Sequence, residues 1–476
     1  MNIVDFLKNS ANKYPKKLAL ISENDSFTFG DLWKSVKDFS LPEQLVNQQN
    51  VISLISENSA SFVIAYLGIM NSGKTVHLVS PEISEINLKN QISSSNSSII
   101  ICSETIFDKI SKFNSIEIPI FQLNNIPKNP NSFSSISNEI AYLIYTSGTT
   151  SEPKGVGINH SIVEFTTKNI VKVLNYSNSD VDILQLPLHH SFGLGCLHVS
   201  LFVGSTLILL KNSSDLQNIL DTIKKYDATT IAAVPATLSK FLKFNENTLK
   251  DYFSNIRLVI TNTTKIPLNT IQNFKKIISN GNLATYYGLT EASRSSFMIF
   301  DEQTSFDQSV GKPAPKVNIK IENPINESKI GEILIKGDNV IKKYWKNIEF
   351  DKNIIDGWLS TGDLGFFDDN GYLYVVGRFD DVINIGGEKV MPEEIEDIVK
   401  QIDGVKDVAA FGVDHEIFGQ VIKLHIVKSE NSNVEKSSII TFCMKNLEKY
   451  KIPSKIDFVT NIPKTDYGKV KRFMLK

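Results

Sequence analysis

The chain has 476 residues, 41% of them hydrophobic and 21% charged, which allows a large core and excludes wholesale disorder. By length it holds roughly three domain-sized units. Fifty basic against fifty-two acidic residues leave a formal net charge of −2, so bulk electrostatics gives no reason to bind nucleic acid or an anionic membrane.

The first residues, MNIVDFLKNSANKYPKK, lack the apolar run of a signal peptide. Phe6, Leu7, Ala11 and Tyr14 follow helical spacing, and Val51 to Ile55 reads as a buried strand. Phe62, Ala65, Tyr66 and Ile69 mark one face of a second helix, before a short strand at Val76 to Val79. Further strands are expected at Ile99 to Ile101, Ala141 to Tyr145, Ile208 to Leu210, Thr230 to Val234 and Leu258 to Thr261. The apolar stretch Gly193 to Leu210 is broken by His198, Ser200, Gly204, Ser205 and Thr206, so it predicts a buried helix and then a strand rather than a membrane span. Cys102, Cys196 and Cys443 show no metal-ligand spacing and suit reduced core thiols in a cytoplasmic protein.

Strands alternating with helices predict an α/β fold with largely parallel sheets. The texture changes near residue 330, where Gly331 to Lys336 and Gly371 to Val376 suggest a small antiparallel layer. Pro392 opens a helix with carboxylates at its positive end. A domain boundary is expected near Asp380, giving a large domain over 1–379 and a small α+β domain over 380–476.

Five segments carry chemistry. Tyr145 to Gly155 runs from a strand into a loop of hydroxyls and glycine with one lysine, Lys154. Such a loop can cradle a polyphosphate through backbone N–H groups, hydroxyls and a mobile cation, although a Ser/Thr-rich surface loop is an equal reading of this segment alone. Tyr286 to Glu291 and Ser360 to Gly365 each set an acidic residue beside glycine, suited to a metal or a sugar diol. The fourth segment, Gly377 to Glu396, is long and distinctive, and the fifth, Pro463 to Arg472, places Lys469 directly after Gly468.

In this order and at these distances, the segments resemble the acyl-adenylate-forming superfamily of acyl-CoA synthetases, peptide-synthetase adenylation domains and firefly-type luciferases. The likeness spans nearly the whole chain. Ser151 stands where the first motif usually has Gly, Thr261 to Thr264 where many relatives have a Gly-rich turn, and Asn384 where Lys is frequent. The resemblance implies a large N-terminal domain of layered, largely parallel sheets with helices plus a small antiparallel sub-barrel, and a mobile α+β C-terminal domain.

It also implies an AMP-forming ligase. ATP and a carboxylic acid would give an acyl-adenylate and pyrophosphate, and a pantetheine thiol of CoA or a carrier protein would then expel AMP. By match to the motifs, Thr146, Ser147, Gly148, Thr149, Thr150 and Lys154 would hold the outer phosphates. Glu291 would bind Mg²⁺, Thr290 would lie near the α-phosphate, and Tyr287 would stack on adenine. Asp363 would take the ribose hydroxyls, with Arg378 beside it, and Lys469 would serve the adenylation step. Asp380 would be the hinge, and Gly386 and Gly387 would line the thiol tunnel.

The acyl pocket is less legible. Leu186 to Phe192 resembles the segment that opens it, with Ser191 at or near the position where amino-acid-activating relatives place an Asp. That disfavours α-amino acids, whose ammonium would be buried unpaired. His190 reads equally as a gate or as a packing histidine. Only Arg257, Arg294, Arg378 and Arg472 supply guanidinium among the fifty basic residues, so each invites a geometric reason. For Arg294, a substrate contact and a loop-holding ion pair are even readings. Two other functions stand as alternatives: a luciferase-like oxygenase, and a non-catalytic nucleotide-binding relative.

Overall fold

The computed structural model describes all residues except 24, 42–50, 127–138, 147–153, 212–214, 263–265, 279, 301–307, 325–328, 347–350, 386–387, 417, 431, 465–469 and 476. By packing, the chain forms two units: 1–318 with 335–359, and 319–334 with 360–476.

The first unit contains two α/β sheets. In one, the strands run in the order Lys312–Pro313, Ser296–Phe300, Asn282–Tyr287, Leu258–Thr261, Thr230–Ala232, Val181–Leu184, Thr206–Leu209, Leu18–Ser22 and Asp25–Thr28. The strands from Asn282–Tyr287 through Leu18–Ser22 pair in parallel, with antiparallel strands only at the edges. The other sheet runs Ile120–Gln122, Ser97–Cys102, Val51–Ile55, Thr75–Val79, Ile140–Thr146 and Lys154–Asn159, with only the last pair antiparallel. Val51–Ile55 is buried at every residue, as a central strand covered on both faces must be.

Helices Ile3–Lys13, Ala60–Asn71, His160–Leu174 and Ser191–Val203 pack on one another between these sheets. Ala60–Asn71 and Ser191–Val203 are apolar nearly all round, which fits helices with protein on every side. Ile3–Lys13 starts in a capping box made by Asn2 and Asp5, and His160–Leu174 ends on Asn175 at φ 52°. Thr230–Ala232 ends earlier than the apolar run to Val234 suggests. Val234 caps the helix Pro235–Phe241, and a residue before proline is driven to extended backbone.

A smaller sheet runs Val317–Glu322, Gly331–Gly337, Trp358–Phe367 and Ile354–Ile355, with Leu373–Arg378 also paired to Trp358–Phe367. The pairings of Trp358–Phe367 with Ile354–Ile355 and with Leu373–Arg378 are antiparallel. The last sheet, Glu388–Val390, Ile383–Ile385, Gly419–Lys428 and Val405–His415, is antiparallel and gains a parallel strand at Lys455–Phe458. Ile395 and Val399 of helix Pro392–Val399 and Ile439 and Cys443 of helix Lys436–Asn446 join its core. This is the α+β pattern expected of the C-terminal region.

Cys102 and Cys443 are buried, whereas Cys196 is only half-buried, and all three are free thiols. Among the described residues no helix is long and apolar enough to cross a membrane.

Candidate active site

In the first unit, Thr146 ends a strand and pairs antiparallel with Lys154, which opens the next. Ser147, Gly148, Thr149 and Thr150 lie outside the described residues. Gly155 is tied to a segment distant in sequence, because its carbonyl accepts from the Trp345 backbone N–H at 2.9 Å.

Tyr287 closes the strand Asn282–Tyr287 and is buried; the chain then turns through Thr290 and Glu291. Leu289 and Ala292 exchange two backbone hydrogen bonds of 3.2 Å across this turn. The carbonyl of Glu291 accepts from the N–H of Ile341 at 2.9 Å, and the Glu291 carboxylate (Oε1) accepts from the Tyr344 hydroxyl at 3.1 Å. Burial, reinforced by the charge of Glu291, pushes the Tyr344 phenol up, so it stays a donor. Asn339 braces the chain beyond the turn, donating to the carbonyl of Ser293 at 3.2 Å and to the hydroxyl of Ser295 at 2.9 Å. Tyr344 and Asn339 carry no motif, and nothing in the sequence flagged them.

His190 is the N-cap of helix Ser191–Val203, with its ring 4.2 Å from that of His189. Burial, helped by His190, holds His189 well below the ordinary imidazole range. Gly193 has no room for a side chain, since a Cβ there would lie 2.4 Å from the Pro187 carbonyl oxygen. Asn58 ties the preceding segment down. Its amide nitrogen donates to the carbonyls of Leu186 and Leu210 at 2.9 and 3.1 Å, and its amide oxygen accepts from the N–H of Leu188 at 2.9 Å.

Arg294 meets this helix start. It is 5% exposed, at φ 53°, and donates through Nη1 to the Ser191 carbonyl at 3.0 Å and to the Ser293 hydroxyl at 2.6 Å. Nη2 donates to the Phe192 carbonyl at 3.2 Å, and the guanidinium carbon sits 4.8 Å from the centre of the Tyr286 ring. Thr290, Ser191 and Arg294 thus line one pocket, with Thr166, Thr167 and His198 among its other walls. A second space adjoins Arg294 and Gly195 and is otherwise mostly apolar, with Phe192, Tyr286 and Phe297 around it. His198 accepts or donates at 2.8 Å with the Tyr66 hydroxyl, and burial, then the charge of Arg294, pushes its imidazole down to about 3.

In the second unit, Asp363 and Arg378 face each other across paired strands. Arg378 Nη1 donates at 2.9 Å both to Asp363 Oδ1 and to the Thr361 carbonyl, and Asp363 is 7% exposed. Asp380 is exposed in the 3₁₀ turn Phe379–Asp381. Gly386, Gly387 and Lys469 lie outside the described residues; Lys464 and Val470, which flank the last of these, form an antiparallel bridge. Arg472 is buried among carboxylates, with Glu396 at 2.7 Å, Glu393 at 3.0 Å and Asp381 at 3.2 Å. Burial, only partly countered by Arg472, lifts the Glu393 carboxyl to about 7.

The AMP-binding enzyme family matches residues 7–345, and the AMP-binding enzyme C-terminal domain matches residues 394–469. The oxalate–CoA ligase of Arabidopsis thaliana is 28% identical over 501 residues, covering 98% of this chain and 96% of its own. The long-chain-fatty-acid–CoA ligase of Salmonella typhimurium is 26% identical over 531 residues, covering 100% and 94%. The structure of o-succinylbenzoate coenzyme A synthetase from Bacillus subtilis, in complex with ATP and magnesium ion, is similar with a TM-score of 0.87 at 26% identity, covering 98% of each chain. The chain belongs to the AMP-binding enzyme family, within the acyl-adenylate-forming superfamily, and is an AMP-forming acid–thiol ligase.

Proposed function

We propose that the chain joins a carboxylic acid to a pantetheine thiol in two half-reactions at the residues singled out above. A carboxylate oxygen attacks the α-phosphorus of ATP, and the bond to pyrophosphate breaks. A thiol, losing its proton, then attacks the acyl carbon of the adenylate, and AMP leaves. The first step drives an anion at a polyanion. Two unit charges about 4 Å apart repel by roughly 4 kcal/mol at an effective dielectric of 20, so cations must stand where charge gathers.

Lys154 and the loop from Thr146 to Thr150 would bind the β- and γ-phosphates, and Thr290 the α-phosphate. Tyr287 would stack on adenine, Asp363 would accept from the ribose hydroxyls, and Arg378 would hold the Asp363 carboxylate in place. Lys469 would bridge the carboxylate and α-phosphate oxygens. Glu291 offers one carboxylate steadied by the Tyr344 hydroxyl, and a single carboxylate beside substrate phosphates is a donor set that suits Mg²⁺. Bound there, Mg²⁺ would neutralise phosphate charge. Residues 380–476 would turn about Asp380 between the half-reactions, and the Gly386–Gly387 loop would then admit the thiol. Three unpaired cysteines suit a cytoplasmic setting.

The observation that carries this reading is the Thr290–Glu291 turn. It sets Thr290 on the wall of a pocket, next in the chain to a carboxylate held by its own hydrogen-bond donor. Acid-dependent exchange of labelled pyrophosphate into ATP is expected with some members of a carboxylic acid panel. No exchange with any acid would overturn it. Thioester formation with CoA, set against a phosphopantetheinylated carrier protein, identifies the acceptor.

A further inference from the structure

Three of the four arginines have carboxylate partners. Arg257 grips both oxygens of Asp180 at 2.7 and 2.6 Å, Arg378 pairs with Asp363, and Arg472 with three acids. Arg294, at 5% exposure, pairs with no carboxylate among the described residues, and its Nε–H finds no acceptor among them. A buried cation satisfied by two carbonyls, one hydroxyl and a ring face is costly to keep. The backbone adds to that cost, since φ 53° is a left-handed conformation that non-glycine residues seldom adopt.

The helix beside it is shaped to receive the group. A Cβ on Gly195 would stand 2.1 Å from Nη2 of Arg294, so only glycine leaves the guanidinium its present position. The same guanidinium borders both the cavity reached by Thr290 and the more apolar space behind it. A purely hydrocarbon acid occupying that room would leave the charge as it is. A second carboxylate would complete it with a charge-assisted hydrogen bond in low dielectric.

We infer that the acid taken by this site carries a second carboxylate, and that Arg294 is the specificity-determining residue that holds it. The inference rests on the proposed adenylation reading, in that it places the acid beside Thr290. Pyrophosphate exchange should be measured with straight-chain monocarboxylic acids and matched α,ω-dicarboxylic acids, for wild type, Arg294→Lys and Gly195→Ala. The wild type is expected to favour the diacid in kcat/KM by about tenfold or more, the scale of one hydrogen bond to a charged group. Both variants should lose most of that preference, chiefly through a raised KM for the diacid. Equal or better use of monoacids by the wild type, or an unchanged preference in both variants, would overturn the assignment.

Binding without turnover separates the two readings. Diacids should raise the melting temperature of the wild type and not of Arg294→Lys, and monoacids should raise neither. That pattern without exchange from any acid would keep the Arg294 site and reject the adenylation reading. Exchange with monoacids, and no diacid shift, would do the reverse.

Discussion

The chemistry turns on single groups whose environments differ sharply. Lys469 is the residue on which the two half-reactions should separate. Lys469→Ala is expected to lower acid-dependent pyrophosphate exchange by about 10²- to 10³-fold, as loss of one stabilising donor does, while sparing thioester formation from pre-made acyl-AMP. Near-normal exchange in that variant would remove it from the mechanism. Tyr344 donates its hydroxyl to the carboxylate of Glu291, the proposed Mg²⁺ ligand. Removing a group that orients a metal ligand typically weakens metal binding about 10- to 100-fold, so Tyr344→Phe should raise the Mg²⁺ concentration needed for half-maximal exchange. A titration unchanged from wild type would mean that Glu291 does not meet the metal.

Among elements, the parallel strand Val181–Leu184 carries a polar group into the core. Asp182 is 6% exposed and accepts from the hydroxyls of Ser205, at 2.6 Å, and Thr230. Burial outweighs those donors and lifts its carboxyl from 3.8 to about 6. Between those values the folded chain holds a proton that the unfolded chain has released. This group therefore makes stability fall as pH rises through that window, and below 3.8 it has no effect. Asp182→Asn should flatten that component, so its melting temperature relative to wild type should climb from pH 4 to pH 6. A difference constant with pH would show that Asp182 titrates as it does when unfolded.

The same elements show what sequence reveals. Val51–Ile55 and Ile140–Thr146 were legible because a strand covered on both faces needs an unbroken apolar run. Ser191–Val203 was legible as a buried helix because its polar residues were too many for a membrane span. Glu291 and Asp363 stood out through their glycine neighbours. Their supports did not, because such contacts join distant stretches: Tyr344 reaches back 53 residues to Glu291, and Arg294 reaches back 103 to Ser191. Rarity of arginine marked Arg294 as unusual, but whether it faced an acid or a cavity depended on packing.

For the whole molecule, the central expectation is that one chain performs two chemistries in turn. Asp380 sits in an exposed 3₁₀ turn, and proline there fixes its own φ and disfavours the helical backbone of Phe379 before it. Asp380→Pro is expected to keep one half-reaction, adenylation, and to stop thioester formation, as read by exchange and by thioester yield. Wild-type rates in both assays would place the hinge elsewhere.

Asn58 has a consequence for how this protein breathes. One side chain, 8% exposed, secures backbone groups of Leu186, Leu188 and Leu210, which lie more than a hundred residues away in sequence. The segment leading into helix Ser191–Val203 therefore has no cheap way to fray alone, because freeing it takes two of three hydrogen bonds from the buried Asn58 amide. The amide hydrogen of Leu188 should exchange with solvent deuterium only through global unfolding, tracking denaturant with the full slope of the large unit. In Asn58→Ala the same amide should exchange through local opening, with almost no denaturant dependence.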